Sequence, residues 1–226
     1  MTRKLLDYRS VTVPFSSPRT NARELVKLLS GCRTILDIGC GRASPVRFVH
    51  NARLLGVDAF EQDIGQARML GTHDEFVVSD ARNIRTRFRQ KEFDACVALD
   101  LIEHLTKEEG LGLIRDMEVL AKKRVVVFTP NGFLSQTSRE EGDFQEHKSG
   151  WEASEMKGLG FHVLGLGGLK YLRTTEHRLR FRPRPFWAVV SWLTQYLWCR
   201  SRPEHAAALL CWKDDPSAFS PLHAAS

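Results

Sequence analysis

Short apolar runs that alternate with longer helix-forming stretches constrain this chain more than any other feature. The runs Thr34–Ile38, Leu54–Asp58, Phe76–Ser79, Asp94–Leu99 and Arg124–Thr129 are brief and mostly apolar. Near-continuous apolarity over so few residues marks strands covered on both faces, as in a parallel sheet. Helical patterns fall between them, at Arg19–Leu29, Ala43–His50, Glu61–Leu70 and Thr106–Ala121. Thr106 and Glu109 form a capping box at the start of the last of these. Such alternation predicts an α/β fold: a doubly wound, Rossmann-like sheet with right-handed crossovers and helices on both faces.

The rhythm changes after Thr129. Residues 130–150 read as a long polar loop, and loops of that length in a compact domain serve function or stay disordered. A helix near Trp151–Lys157, a strand near Phe161–Leu166, a helix near Pro185–Cys199 and a strand over Ala206–Lys213 follow. We therefore expect one domain over residues 1–213. It would have an N-terminal helical cap at 1–30, a substrate loop at 130–150, a basic and aromatic insertion at 178–202, and a flexible tail at 214–226. The five cysteines are odd in number and form no C-x-x-C pair, which argues against a disulfide framework or a thiolate zinc site. A cytoplasmic location is expected, since the N-terminus shows no apolar signal region and no run is long enough to span a bilayer.

The first strand ends in "LDIGCGRAS". Its glycines admit a ligand close to the backbone, and the following helix start offers free N–H donors. A dinucleotide fingerprint would need glycine where Ser44 stands. Asp58 closes the second strand about 20 residues past Gly39, where a carboxylate can accept from a ribose diol. Asp80 closes the third, placed to accept from an adenine amino group.

The motifs "LDIGCGRA", "GVDAF", "VVSDARNI", "FDACVALDLIEHL" and "VVVFTPNG" resemble those of class I S-adenosylmethionine-dependent methyltransferases over roughly Arg33 to Gly132. They are most similar to the group with an "EHL" turn after the fourth strand, which includes the ubiquinone-biosynthesis O-methyltransferases. The resemblance implies S-adenosylmethionine as cofactor and a seven-stranded, mostly parallel sheet whose last strand is inserted antiparallel. It implies that the turn of Asp37, Gly39, Cys40 and Gly41 faces the methionine end. Asp58 and Ala59 would hold the ribose, Asp80 and Ala81 the adenine, and Leu99 would line the pocket.

The turn "DLIEHL" carries Asp100, Glu103 and His104. If it is helical, all three share one face at the ligand-binding end of the sheet. In one reading they cap a helix and shape the pocket floor. In the other, two carboxylates and a histidine hold Mg²⁺ or another divalent metal. Some enzymes of the resembled class hold a metal on an E-x-x-E-H turn, and the small-RNA 3′-end 2′-O-methyltransferases add a distant histidine. By that likeness His147 would complete a metal set of Asp100, Glu103, His104 and His147; otherwise His104 or His147 would act as a catalytic base. A hydroxyl acceptor needs a base or a metal, whereas an amine needs less help.

Residues 165–202 carry eight Lys and Arg side chains against one acid. Within them Phe186, Val189, Val190, Leu193 and Leu197 make one helical stripe. Three readings stand: a helix packed on the sheet by that stripe, an interfacial helix meeting acidic lipid headgroups, or a grip on single-stranded nucleic acid, which ranks last. The expected reaction is methyl transfer to a hydroxyl of a small or lipid-linked molecule, with peripheral membrane contact as a further expectation. Rival expectations are RNA 2′-O-methylation, N-methylation, an NAD-dependent oxidoreductase and a non-catalytic cofactor-binding protein.

Overall fold

The expected strands assemble into a seven-stranded sheet in the order β3-β2-β1-β4-β5-β7-β6. They are β1 (Thr34–Ile38), β2 (Arg53–Asp58), β3 (Glu75–Val78), β4 (Phe93–Leu99), β5 (Ala121–Pro130), β6 (His162–Leu169) and β7 (Ala206–Asp214). The first five pair in parallel, and β7 lies antiparallel between β5 and β6. The computed structural model describes residues 17–133, 146–174 and 179–214. Tyr8 and Arg9, the residues of the N-terminal cap that could contribute to substrate contact, lie outside the described residues, as do most of the expected substrate loop and the tail beyond Asp214.

The helices are α1 (Ser17–Leu28), α2 (Glu61–Leu70), α3 (Ile84–Arg87), α4 (Lys107–Leu120), α5 (Ala153–Gly158) and α6 (Arg184–Thr194). The capping box at α4 forms as read: the Thr106 hydroxyl accepts from the Glu109 N–H, and the Glu109 carboxylate accepts from the Thr106 N–H. The helix expected over Ala43–His50 shrinks to a 3₁₀ turn at Pro45–Phe48. Ser44 caps that turn and Val49 already leaves in extended conformation.

Two apolar layers sandwich the sheet. One joins Leu25 of α1 and Leu29 just past its end with Ile35, Leu54, Val97 and Leu210. The other joins Leu113 and Met117 of α4 and Met156 of α5 with Leu36, Cys96 and Val127. Each fully buried aliphatic side chain contributes roughly 1.5–3 kcal/mol.

The stripe on α6 does not pack inward. Along α6 and the helical turn that continues it, Gln195–Cys199, the buried residues are Ser191, Gln195 and Cys199, at 3%, 4% and 0% exposure, while Phe186, Leu193 and Leu197 stand at 58%, 42% and 78%. The cause lies in β6. A Cβ on Gly165 would sit 2.1 Å from the Cys199 carbonyl oxygen, and one on Gly168 would sit 2.3 Å from that of Ser191. These glycines let the helix backbone come directly against the strand. Only small or hydrogen-bonding side chains fit the seam: the Gly167 N–H donates to Gln195 Oε1 (2.9 Å) and the Ser191 hydroxyl to Gly167 O (3.1 Å).

Candidate active site

The carboxyl ends of β1, β2 and β4 open onto a cavity of about 670 Å³. Gly39 and Gly41 form its floor, with φ of 71° and 50°. A Cβ on Gly39 would meet Leu101 Cδ1 at 2.9 Å, whereas nothing lies within 4 Å of one on Gly41. The second glycine thus bares its backbone to whatever fills the space.

Asp58 is clamped beside this turn. Its Oδ2 accepts from the Gly41 N–H (2.8 Å) and its Oδ1 from the Phe60 N–H (2.9 Å). Each oxygen keeps a further lone pair, so the carboxylate is held in a fixed pose with capacity to accept from two hydroxyls. Asp80 sits across the cavity, gripped by Arg82, whose Nε lies 3.0 Å from both carboxylate oxygens. Arg82 holds the Asp80 carboxyl below its ordinary range and itself reaches Glu109. Ala59 and Ala81 line the same wall.

Three residues of the expected cofactor set stand behind the wall. Asp37 is fully buried, with Oδ2 2.9 Å from His73 Nε2. Cys40 points its sulfur at Gly56, and burial raises its thiol pKa far above normal. Leu99 packs against the apolar layer under α1. In their place Phe60, Leu101, Lys148, Arg82 and Glu109 line the space. No spacing signal marks these residues, because each comes from a loop or a helix start whose path only the folded chain defines.

The acid–histidine turn differs from a helix. Asp100 takes φ 50°, and the 3₁₀ turn spans only Ile102–His104. Asp100 is thereby rotated out of the expected common face and opens on the cavity instead. Enclosure by protein raises its carboxyl pKa. Glu103 is buried with Oε2 accepting from the Thr129 hydroxyl (3.0 Å); burial first, then the charge of Asp100, raises its pKa.

His147 arrives from the far side of the long loop. The Lys148 and Ser149 N–H groups donate to Glu103 O (2.8 and 3.1 Å). The Ser149 hydroxyl and the Trp151 indole both donate to Ile102 O (3.1 and 3.3 Å). This stitching sets the His104 and His147 rings edge to face at 4.9 Å. Donor atoms of Glu103, His104 and His147 all lie within 4.8 Å of one another. Of the expected metal set, the fold gathers these three and leaves Asp100 out. His104 lines the cavity and its Nδ1 is 3.2 Å from the Glu146 carbonyl oxygen.

Residues 36–134, from β1 through the turn after β5, match the family model for a methyltransferase domain. These residues carry a methyltransferase domain, and the seven-stranded fold around them is that of class I S-adenosylmethionine-dependent methyltransferases. Among solved structures, the chain is similar to an S-adenosylmethionine-dependent methyltransferase from Archaeoglobus fulgidus, with 18% identity, TM-score 0.60, and 87% and 92% of the two chains covered. It is similar to the methyltransferase domain of a bacterial Hen1 protein, CtHen1, with 14% identity, TM-score 0.56, and 87% and 98% covered. It is also similar to a plantazolicin methyltransferase solved with S-adenosylhomocysteine, with 20% identity, TM-score 0.52, and 86% and 81% covered. No curated protein sequence matches the chain. The narrower likeness to ubiquinone-biosynthesis enzymes is not carried by these matches.

Proposed function

We propose that the chain methylates a hydroxyl oxygen of a small or lipid-linked molecule, with Glu103, His104 and His147 serving that oxygen. The observation that carries this is the convergence of these three side chains beside the cavity. S-adenosylmethionine brings an already activated methyl group, so the protein's task is to align donor and acceptor and to exclude water. Asp58 would fix the ribose and the Gly39–Gly41 backbone the methionine end. The acceptor proton would leave to His104. A carbonyl oxygen beside Nδ1 requires that nitrogen to carry the ring proton, which puts the lone pair on Nε2.

In a second reading the cluster holds a divalent ion, with His104 a ligand in place of a base. One carboxylate and two imidazoles suit Mn²⁺ or a similar transition metal better than Mg²⁺, which prefers oxygen ligands. Bound there, such an ion would lower the pKa of the acceptor hydroxyl. Labelled methyl transfer to hydroxyl acceptors and their amine analogues tests the reading. Transfer should favour the hydroxyl, stop with EDTA, and return with Mn²⁺; His147→Ala should abolish that rescue. Indifference to chelator with loss in His104→Ala would leave the histidine base alone. Preference for the amine, with His104→Ala silent, would overturn the proposal.

A further inference from the structure

We propose that the outward face of α6 docks the protein on an anionic lipid surface. The turn that follows α6, Gln195–Cys199, continues its helical path. Along this rod Phe186, Val189, Leu193 and Leu197 face outward, each at 40% exposure or more. The polar Ser191 and Gln195 and the backbone-hugging Cys199 face in. A helix packed on a soluble core shows the opposite polarity. The inversion is fixed by β6, whose glycines accept nothing bulkier than these inward groups.

The surroundings of the stripe select its occupant. Lys170, Arg180, Arg182 and Arg184 are exposed around the start of α6, and Arg202 lies at the far end, 4.2 Å over the Trp198 ring. Glu204, two residues past Arg202, is exposed as well. Acyl-seeking aliphatics ringed by cations and an aromatic at the boundary are the chemistry of an interfacial helix. A two-fold contact with a second copy would bring the same cations face to face. Val189, Leu193 and Leu197 cannot stack on bases, so three of the four outward residues would serve a nucleic-acid strand nothing.

Contacts order the helix against the strand: Ser191 lies at Gly168, Gln195 at Gly167 and Cys199 at Gly165. The helix therefore runs back along β6, and its arginine-bearing start projects past the Leu169 end. Both β5 and β6 pair antiparallel with β7, so that end is also the carboxyl end of the parallel strands, where the cavity opens. The inference does not depend on which acceptor is methylated.

Flotation with phosphatidylcholine vesicles, alone or with added phosphatidylglycerol, tests it on the full chain. Wild type should float with the anionic vesicles and release at high salt. Leu193→Glu with Leu197→Glu, and separately Arg182→Glu with Arg184→Glu, should each weaken binding by roughly tenfold or more. All should keep wild-type affinity for S-adenosylhomocysteine, which reports intact folding. Failure of wild type to float with either vesicle would overturn the proposal. So would binding that ignores both substitutions, or a dimer seen by light scattering that Leu197→Glu dissolves.

Discussion

Asp58 shows how little a binding carboxylate is left to chance. Two backbone N–H groups, from Gly41 and Phe60, fix its plane before any ligand arrives. Asp58→Ala should weaken S-adenosylhomocysteine binding by about 1–3 kcal/mol, the cost of unpaired polar groups, as calorimetry would read. At this scale the sequence was only partly transparent. Asp58 and Asp80 were legible because one ends β2 and the other follows β3 by two residues, and strand ends are visible as the limits of apolar runs. Asp37 looked the same by that criterion, yet it turns inward to His73. Its partner lies on another segment, and nothing local announces the pair.

At the level of elements, α1 is tied to the end of the α6 rod by Glu24. The carboxylate contacts Arg200 (3.2 Å) and Lys27 (3.3 Å). Burial acts to raise its pKa, but Arg200 and then Lys27 outweigh it and the net shift is downward from 4.5. A depressed folded-state value means the stability this group contributes is present above the unfolded value and is lost as pH falls through the folded one. Glu24→Gln should therefore be less stable than wild type at neutral pH by about 1 kcal/mol or less, since Arg200 is partly solvated. Urea titrations at neutral pH and at about pH 3 should show the gap closing in acid. The elements themselves were largely legible. Buried parallel strands are apolar throughout, and the α4 capping box is a local signal. The facing of α6 was not, because periodicity reveals a stripe without saying which side is covered. Only the glycines of β6, read together with the helix, decide that.

For the whole molecule, ligand and fold are one equilibrium. S-adenosylhomocysteine at 100 times its Kd should add about 2.7 kcal/mol to stability, which for a chain of this size raises Tm by about 5–10 °C. Thermal scans of wild type and Asp58→Ala at equal ligand concentration should show the shift shrink in the variant. The methyltransferase class was legible from the ordered motifs on neighbouring strand ends. The cavity's remaining wall was not, since Arg82, Lys148 and Phe60 meet there only after the crossovers close. Among the described residues no helix is long and apolar enough to cross a membrane.

The placement of β7 sets a condition on how this chain can be made. It is the last strand of the described residues, yet it lies between β5 and β6. During synthesis the long β5 must wait with an unpaired edge while more than seventy further residues emerge. Unpaired strand edges invite pairing with other chains. A chain cut short before Ala206 would not merely lose its margin; it would be left with a five-stranded sheet whose β5 edge is bare and a lone β6 with no strand to pair with.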